Sequence, residues 1–99
     1  MHLRDRLIGK KFKSFSTTEF NQLNLDFADG SGFGIYTDTV VTWKADEQRI
    51  AVSDFVEASD TFTIIFDNGS KIAISRVPIS PSPEIFQFHD IDGTVVVEN

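Results

Sequence analysis

The sequence predicts a mostly β domain, an antiparallel meander of two repeated hairpin halves that forms a sandwich or a barrel-like sheet. A segment that alternates apolar and polar residues occurs at 22–35 and again, 39 residues later, at 61–74. Each copy reads as a strand, an acidic or amide residue followed by Gly, and a second strand. Turn signals recur every eight to twelve residues, as in sandwiches and barrels. A single curved antiparallel sheet that dimerises is the alternative.

The segment before the first copy predicts either a short helix or a first strand. Leu3, Leu7 and Ile8 have helical spacing, and Gly9 would end such a helix. Residues 11–15 then alternate, which is typical of a strand. The mostly β fold is therefore expected to begin with one short N-terminal helix or with an additional strand.

The apolar pattern of the repeated hairpins indicates the length of their turns. A two-residue turn would leave large apolar side chains on both faces of the hairpin, because paired residues point to the same face. A three-residue loop, 28–30, instead pairs Leu25 with Phe33 and gathers these side chains on one face. The corresponding loop of the second copy has the same effect. We therefore expect Gly30 and Gly69 to be structural turn residues with positive φ, a conformation that Gly adopts without steric cost.

The rest of the chain supplies the outer elements of the two halves. Residues 39–44 are β-branched and aromatic and predict a strand, and residues 49–53 begin the second half. Three Pro within 78–83 bar a central strand and predict an extended connector. The last hairpin is expected to join 84–89 to 94–98.

The length and composition fit one domain. We expect residues 1–99 to share one core, with a first half at about 10–48 and a second half at about 49–99. Ten Phe residues, together with one Trp and one Tyr, supply most of the large apolar volume. Each buried Phe contributes roughly 1.5–3 kcal/mol, so six to eight of them make an adequate core.

The charge is unevenly distributed along the chain. Residues 1–13 hold five basic residues and one acidic residue, a sum of +4, whereas residues 14–99 hold four basic and fourteen acidic residues, a sum of −10. A body this acidic repels phosphate backbones, so we expect no nucleic-acid partner. The basic N-terminal segment is interpreted as neutralising carboxylates within the same fold, with a docking role as the alternative.

The absence of Cys and of long apolar runs indicates in which cellular compartment the protein is expected. The chain has no Cys, which excludes disulfides and thiolate chemistry. Its first residues lack the apolar run of a signal peptide, and no run reaches the length of a membrane span. We therefore expect a cytoplasmic protein without a membrane partner.

One local cluster has residue types that bind metals. Asp90, Asp92 and His89 are weak candidate ligands for a hard cation. A calcium loop would need further oxygen ligands, whereas a strand follows here at 94–97. Asp and Gly are also the residues that a hairpin turn requires. The sequence favours the turn, and we expect no metal, no other cofactor and no catalytic residue.

A difference between the two copies marks a candidate contact surface. The first copy has Gly32 and Gly34 where the second has Lys and Ala, so the repeated hairpin does not itself need Gly there. Gly within a strand marks a place where a backbone or a ring packs closely. Tyr36 and Trp43 are assigned to the same interaction surface as its large aromatics, with a place in the core as the alternative.

Together these features predict a non-catalytic protein-interaction or accessory module. The partner is expected to be a protein of unknown identity, with a basic protein or a second copy of the chain as the two options. An acidic body speeds the encounter with a basic partner and makes binding sensitive to salt. A small-molecule-binding β domain is one alternative, and an enzyme that uses carboxylates near His89 is another.

Overall fold

The computed structural model describes residues 3–17, 22–44, 50–77 and 84–99. In that part of the chain, one short helix precedes nine strands in two antiparallel sheets. The elements are α1 (Leu3–Leu7), β1 (Phe12–Thr17), β2 (Leu23–Phe27), β3 (Gly32–Ile35), β4 (Thr39–Thr42), β5 (Val52–Glu57), β6 (Thr61–Phe66), β7 (Lys71–Ser75), β8 (Phe86–His89) and β9 (Val95–Glu98). The mostly β class is confirmed, and the strands form two sheets, as in a sandwich, rather than one. The predicted connector at 78–83 lies outside the described residues.

The chain begins with the helix rather than with a strand. Leu7 is fully buried, and the amide of Ile8 donates a hydrogen bond of 3.1 Å to the carbonyl of Arg4. Gly9 has a φ of 87°, which ends the helix where the apolar spacing also ends. The described residues include no helix that is long and apolar enough to cross a membrane.

The strand order departs from a simple meander at two places. One sheet has the order β1-β2-β3-β8-β9 and the other has the order β4-β7-β6-β5. The strand that follows each repeated hairpin therefore crosses to the sheet of the other half. This exchange brings Phe86 and Phe88 of β8 beside Ile35 and Phe33 of β3. Among the described residues, each half thus contributes one or more strands to the sheet of the other.

The registers of the repeated hairpins agree with three-residue loops. Leu25 pairs with Phe33 in the first hairpin, and Ile64 pairs with Ile72 in the second. Gly30 and Gly69, at the ends of the two loops, have φ angles of 96° and 87°. The large apolar side chains of each hairpin consequently lie on one face, as the alternation predicts.

The last hairpin uses the same turn chemistry as the other two. Gly93 has a φ of 89°, and the carboxylate of Asp92 accepts a hydrogen bond of 2.9 Å from the amide of Thr94. The side chains of Asp29 and Asn68 accept equivalent 2.9 Å bonds from the amides two residues after them. Each turn therefore has the sequence Asp or Asn, then Gly, then Ser or Thr, in which a side chain replaces a backbone acceptor.

The two halves meet through equivalent residues. Lys11 forms an isolated antiparallel bridge with Ala51, which stands 40 residues later at the matching place before β5. Both β1 and β5 then have an irregularity directly after their first residue, at Phe12/Ser14 and at Val52/Asp54. Antiparallel pairing of equivalent residues is the arrangement that a local twofold axis produces.

The core lies between the sheets and is dominated by Phe rings. Phe33 of β3 is in edge or tilted contact with Phe86 and Phe88, at centroid distances of 5.3 Å and 4.9 Å. Seven Phe residues of the described chain are buried, namely Phe27, Phe33, Phe55, Phe62, Phe66, Phe86 and Phe88. They come from both halves, so the described chain has one shared core.

Candidate functional site

The outer face of the five-stranded sheet has a depression over Gly32 and Gly34. Two cross-strand rows make up this surface: Asp26, Gly32, His89 and Val95 form one, and Asn24, Gly34, Gln87 and Val97 form the other. We call these eight residues the glycine face. Because side chains alternate along a strand, the neighbours of these residues point into the core.

The depression is small and polar. Its volume is about 290 Å³, and its lining includes the side chains of Ser16, Gln22, Asn24, Asp26, Tyr36 and His89. No Lys or Arg is among the described residues that line it. Oxygen atoms that accept hydrogen bonds therefore predominate in the lining. Asp26 supplies the only carboxylate among the described lining residues.

The two glycines differ in how strictly their surroundings exclude a side chain. A Cβ atom built on Gly32 would lie 2.6 Å from the carbonyl oxygen of Leu25, so the neighbouring backbone itself excludes a side chain. A Cβ atom on Gly34 would lie 2.9 Å from Nε2 of Gln22 and 3.5 Å from the hydroxyl of Tyr36. These are the ends of flexible side chains, so Gly34 tolerates a larger residue if they move into the depression or away from it.

Hydrogen bonds order the polar side chains around the depression. The Gln22 amide donates to Oδ1 of Asn24 at 3.1 Å, and the Ser14 hydroxyl donates to the Asp26 carboxylate at 3.4 Å. Burial raises the pKa of Tyr36, and the nearby negative charge of Glu84 adds to the effect. Tyr36 therefore keeps its proton at neutral pH and presents a hydroxyl that both donates and accepts.

The outer face of the four-stranded sheet provides a natural comparison. Its matching rows consist of Asp54, Ile65, Lys71 and Thr42, and of Val56, Thr63, Ala73 and Val40. Lys71 and Ala73 thus stand at the places of the two glycines. The same hairpin framework carries side chains on one sheet and a depression on the other.

The structure divides the residues that the sequence assigned to one interaction surface. Tyr36 lines the depression with Gly32 and Gly34, but Trp43 does not. The ring of Trp43 packs against Phe12, Phe15 and Phe66 at 4.7, 4.9 and 5.1 Å, at the margin of the core. Trp43 follows β4 of the other sheet at an inward position, so the structure does not bring it beside the glycines, and its part in an interaction surface stays a prediction.

The weak metal candidates are held by cations of the N-terminal segment. Arg6 contacts the carboxylates of Asp90 at 2.9 Å and Asp92 at 3.2 Å, and Lys10 contacts Asp90 at 3.1 Å. His89 belongs to the glycine face, where it lines the depression. Among the described residues, no three carboxylate or imidazole groups converge as a metal site requires. The arrangement fits the interpretation that the basic segment neutralises carboxylates of its own fold.

Sequence reasoning missed four polar residues of the site, namely Ser16, Gln22, Asn24 and Asp26. The signal that points to Asn24 and Asp26 is the alternation of β2, where polar residues separate Leu23, Leu25 and Phe27. Gln22 is in reach only because it folds over Gly34.

Comparison of the chain with protein-family models, with curated proteins and with solved structures finds no match.

Proposed function

We propose that this protein is a non-catalytic interaction module that binds a basic protein partner through the glycine face. The observation that supports this most directly is the depression over Gly32 and Gly34, in a position where the equivalent hairpin has side chains. A partner side chain is the group that such a depression on an exposed sheet fits.

The chemistry of the lining favours a cationic group. The Asp26 carboxylate, the Asn24 side-chain oxygen and the Tyr36 hydroxyl accept hydrogen bonds, and no Lys or Arg is among the described lining residues. The chain also has a net charge of −6, which attracts basic surfaces over a longer range. A Lys or Arg side chain that enters the depression finds its acceptors without displacing a resident cation.

The size and surroundings of the depression favour a protein over a small molecule. Its volume of about 290 Å³ is at the lower limit of small-molecule sites, which span roughly 300–1,000 Å³. Val95 and Val97 lie in the same two rows and are 50% and 45% exposed. Apolar side chains beside a polar anchor point are the usual composition of a protein interface. The partner is thus expected to present a basic side chain next to an apolar one.

Filling the depression tests this proposal. Proteins captured from a lysate of the source organism on the immobilised domain are identified, and the affinity of the main partner is measured by calorimetry. Gly34→Val places a branched side chain in the depression and is expected to weaken binding at least about tenfold. Ala73→Val adds bulk at the equivalent place on the other sheet and should leave the affinity unchanged. Equal affinities for both variants would exclude the depression as the binding site.

A second pair of variants tests the charge. Asp26→Asn removes the carboxylate from the depression, and Asp60→Asn removes an exposed carboxylate from the loop before β6. Both change the net charge equally, so long-range attraction falls equally. Only Asp26→Asn should raise the dissociation rate constant of the complex above the wild-type value. The proposal of a basic anchor fails if the two variants dissociate at the same rate.

A further inference from the structure

Within the described residues, the edge strand β4 of the four-stranded sheet has none of the usual protection of a sheet edge. β4 pairs with β7 on one side and ends the sheet on the other. Val40 and Val41 are 67% and 41% exposed. The segment Thr39–Thr42 contains no charge, no Pro and no register shift, and β-branched residues without such features pair readily with another strand.

The other sheet has an additional strand at the equivalent edge. β8 pairs with β3 in the way that β4 pairs with β7, since Phe88 lies opposite Phe33 and Val41 lies opposite Ile72. β8 is then covered by β9 on its far side. Within the described residues, β4 has no such neighbour. The local symmetry of the fold therefore leaves room for one more strand beside β4.

The backbone groups of β4 that face this space can be assigned from the hydrogen bonds on its other side. The Ser75 amide donates to the carbonyl of Asp38 at 2.8 Å, and the Lys44 amide donates to the Ser70 hydroxyl at 3.0 Å. Bonding groups alternate along an antiparallel strand, so Asp38, Val40 and the other even-numbered residues face β7. The N–H and C=O groups of Thr39 and Val41 consequently point to the open edge.

We propose that β4 pairs with β4 of a second copy of this chain, antiparallel and centred on Val41. In this register Val41 lies opposite its own equivalent and exchanges two hydrogen bonds with it, and Val40 lies opposite Thr42. The next pair along the strands is Thr39 and Trp43, and beyond it Lys44 of one copy lies opposite Asp38 of the other, both exposed. The segment 38–44 is therefore complementary to itself in charge as well as in shape.

The charge pattern identifies the second copy as the occupant and selects the register. A register centred on Val40 would place Asp38 opposite Thr42 and leave Lys44 without an acidic partner in the other strand. The Val41 register forms two symmetric ion pairs, and a contact of this isologous kind closes into a dimer rather than a filament. The edge itself is neutral, and the remaining acidic residues are screened beyond about 8 Å at physiological salt.

Charge reversal at the two ends of the edge tests the pairing. Sedimentation equilibrium of the wild-type chain should give twice the 11.1 kDa chain mass. Asp38→Lys and Lys44→Glu each create like-charge pairs and should raise the dimer dissociation constant about tenfold. The double variant restores both pairs with inverted sign and should return the constant to the wild-type value. Asp60→Lys changes the net charge as Asp38→Lys does and serves as the control.

A backbone variant tests the hydrogen bonds separately. Val41→Pro removes an N–H that points to the open edge, so the β4–β7 ladder stays intact and the chain should become monomeric while remaining folded. Circular dichroism checks the fold, and if this variant unfolds, the charge-reversal series decides the question. A wild-type chain that stays monomeric up to about 1 mM would overturn the proposal. So would a double variant that dimerises no better than the single ones.

Discussion

Replacement of Gly69 by Val is expected to destabilise the protein through the backbone of one turn. Gly69 ends the loop between β6 and β7 and has a φ of 87°. An L-residue in the left-handed region costs about 1–2 kcal/mol, and a β-branched side chain is at the unfavourable end of that range.

Two smaller effects act in opposite directions. A Cβ atom at this position would lie 3.0 Å from Nζ of Lys44, but this is the end of a flexible side chain and adds little. Removal of Gly also restricts the conformations of the unfolded chain, and this offsets about 0.4–1 kcal/mol of the lost stability. The expected net loss in the free energy of unfolding is thus about 1–1.5 kcal/mol, which lowers the Tm of a domain of this size by roughly 4–12 °C.

Urea unfolding followed by fluorescence measures this loss directly. Trp43 is the only Trp, and its ring lies 5.1 Å from that of Phe66 at the start of the same turn. Gly69→Asn should cost less than Gly69→Val, because Asn tolerates the left-handed region. Gly34→Val is the control, since Gly34 is in an ordinary strand conformation. A Gly69→Val variant whose urea-unfolding curve has the midpoint and slope of the wild-type curve would refute the turn assignment.

Two further predictions concern the ion pairs of the N-terminal segment. Burial opposes ionisation of Asp29, but hydrogen bonds from Lys10 and Ser31 outweigh it and lower its pKa from 3.8 to about 2. Because the pKa of Asp29 is lower in the folded than in the unfolded state, its carboxylate stabilises the fold fully above pH 3.8. This stabilisation is lost as the pH falls toward 2. The free energy of unfolding should therefore decline in that window, and the decline should be shallower in Asp29→Asn; parallel curves would contradict the assignment. Lys10→Met leaves the Asp90 carboxylate, whose side chain is 9% exposed, with one cation fewer and should cost about 1–3 kcal/mol in urea unfolding at pH 7. A difference from wild type that persists unchanged at pH 2 would show that the loss is one of packing rather than charge.

The sequence alone determined the local architecture of this protein. The alternation of apolar residues at 22–35 and 61–74 has the period of a strand and also specifies which side chains share a face. The same pattern, with Gly30 and Gly69, was sufficient to choose a three-residue loop over a two-residue loop. These features depend on residues close together in the chain, so they can be predicted from the sequence.

Only the tertiary structure decided which strands exchange sheets and what surrounds the glycines. The crossing of β4 and β8 depends on how apolar faces from distant segments cover each other, and alternation is the same for either arrangement. The place of Trp43 at the margin of the core follows from that crossing. A backbone carbonyl on β2 lies close enough to Gly32 to exclude a side chain there, and the carboxylates of Asp90 and Asp92 meet Arg6 across more than 80 residues of sequence. Such contacts arise from packing in three dimensions, and no periodicity along the chain encodes them.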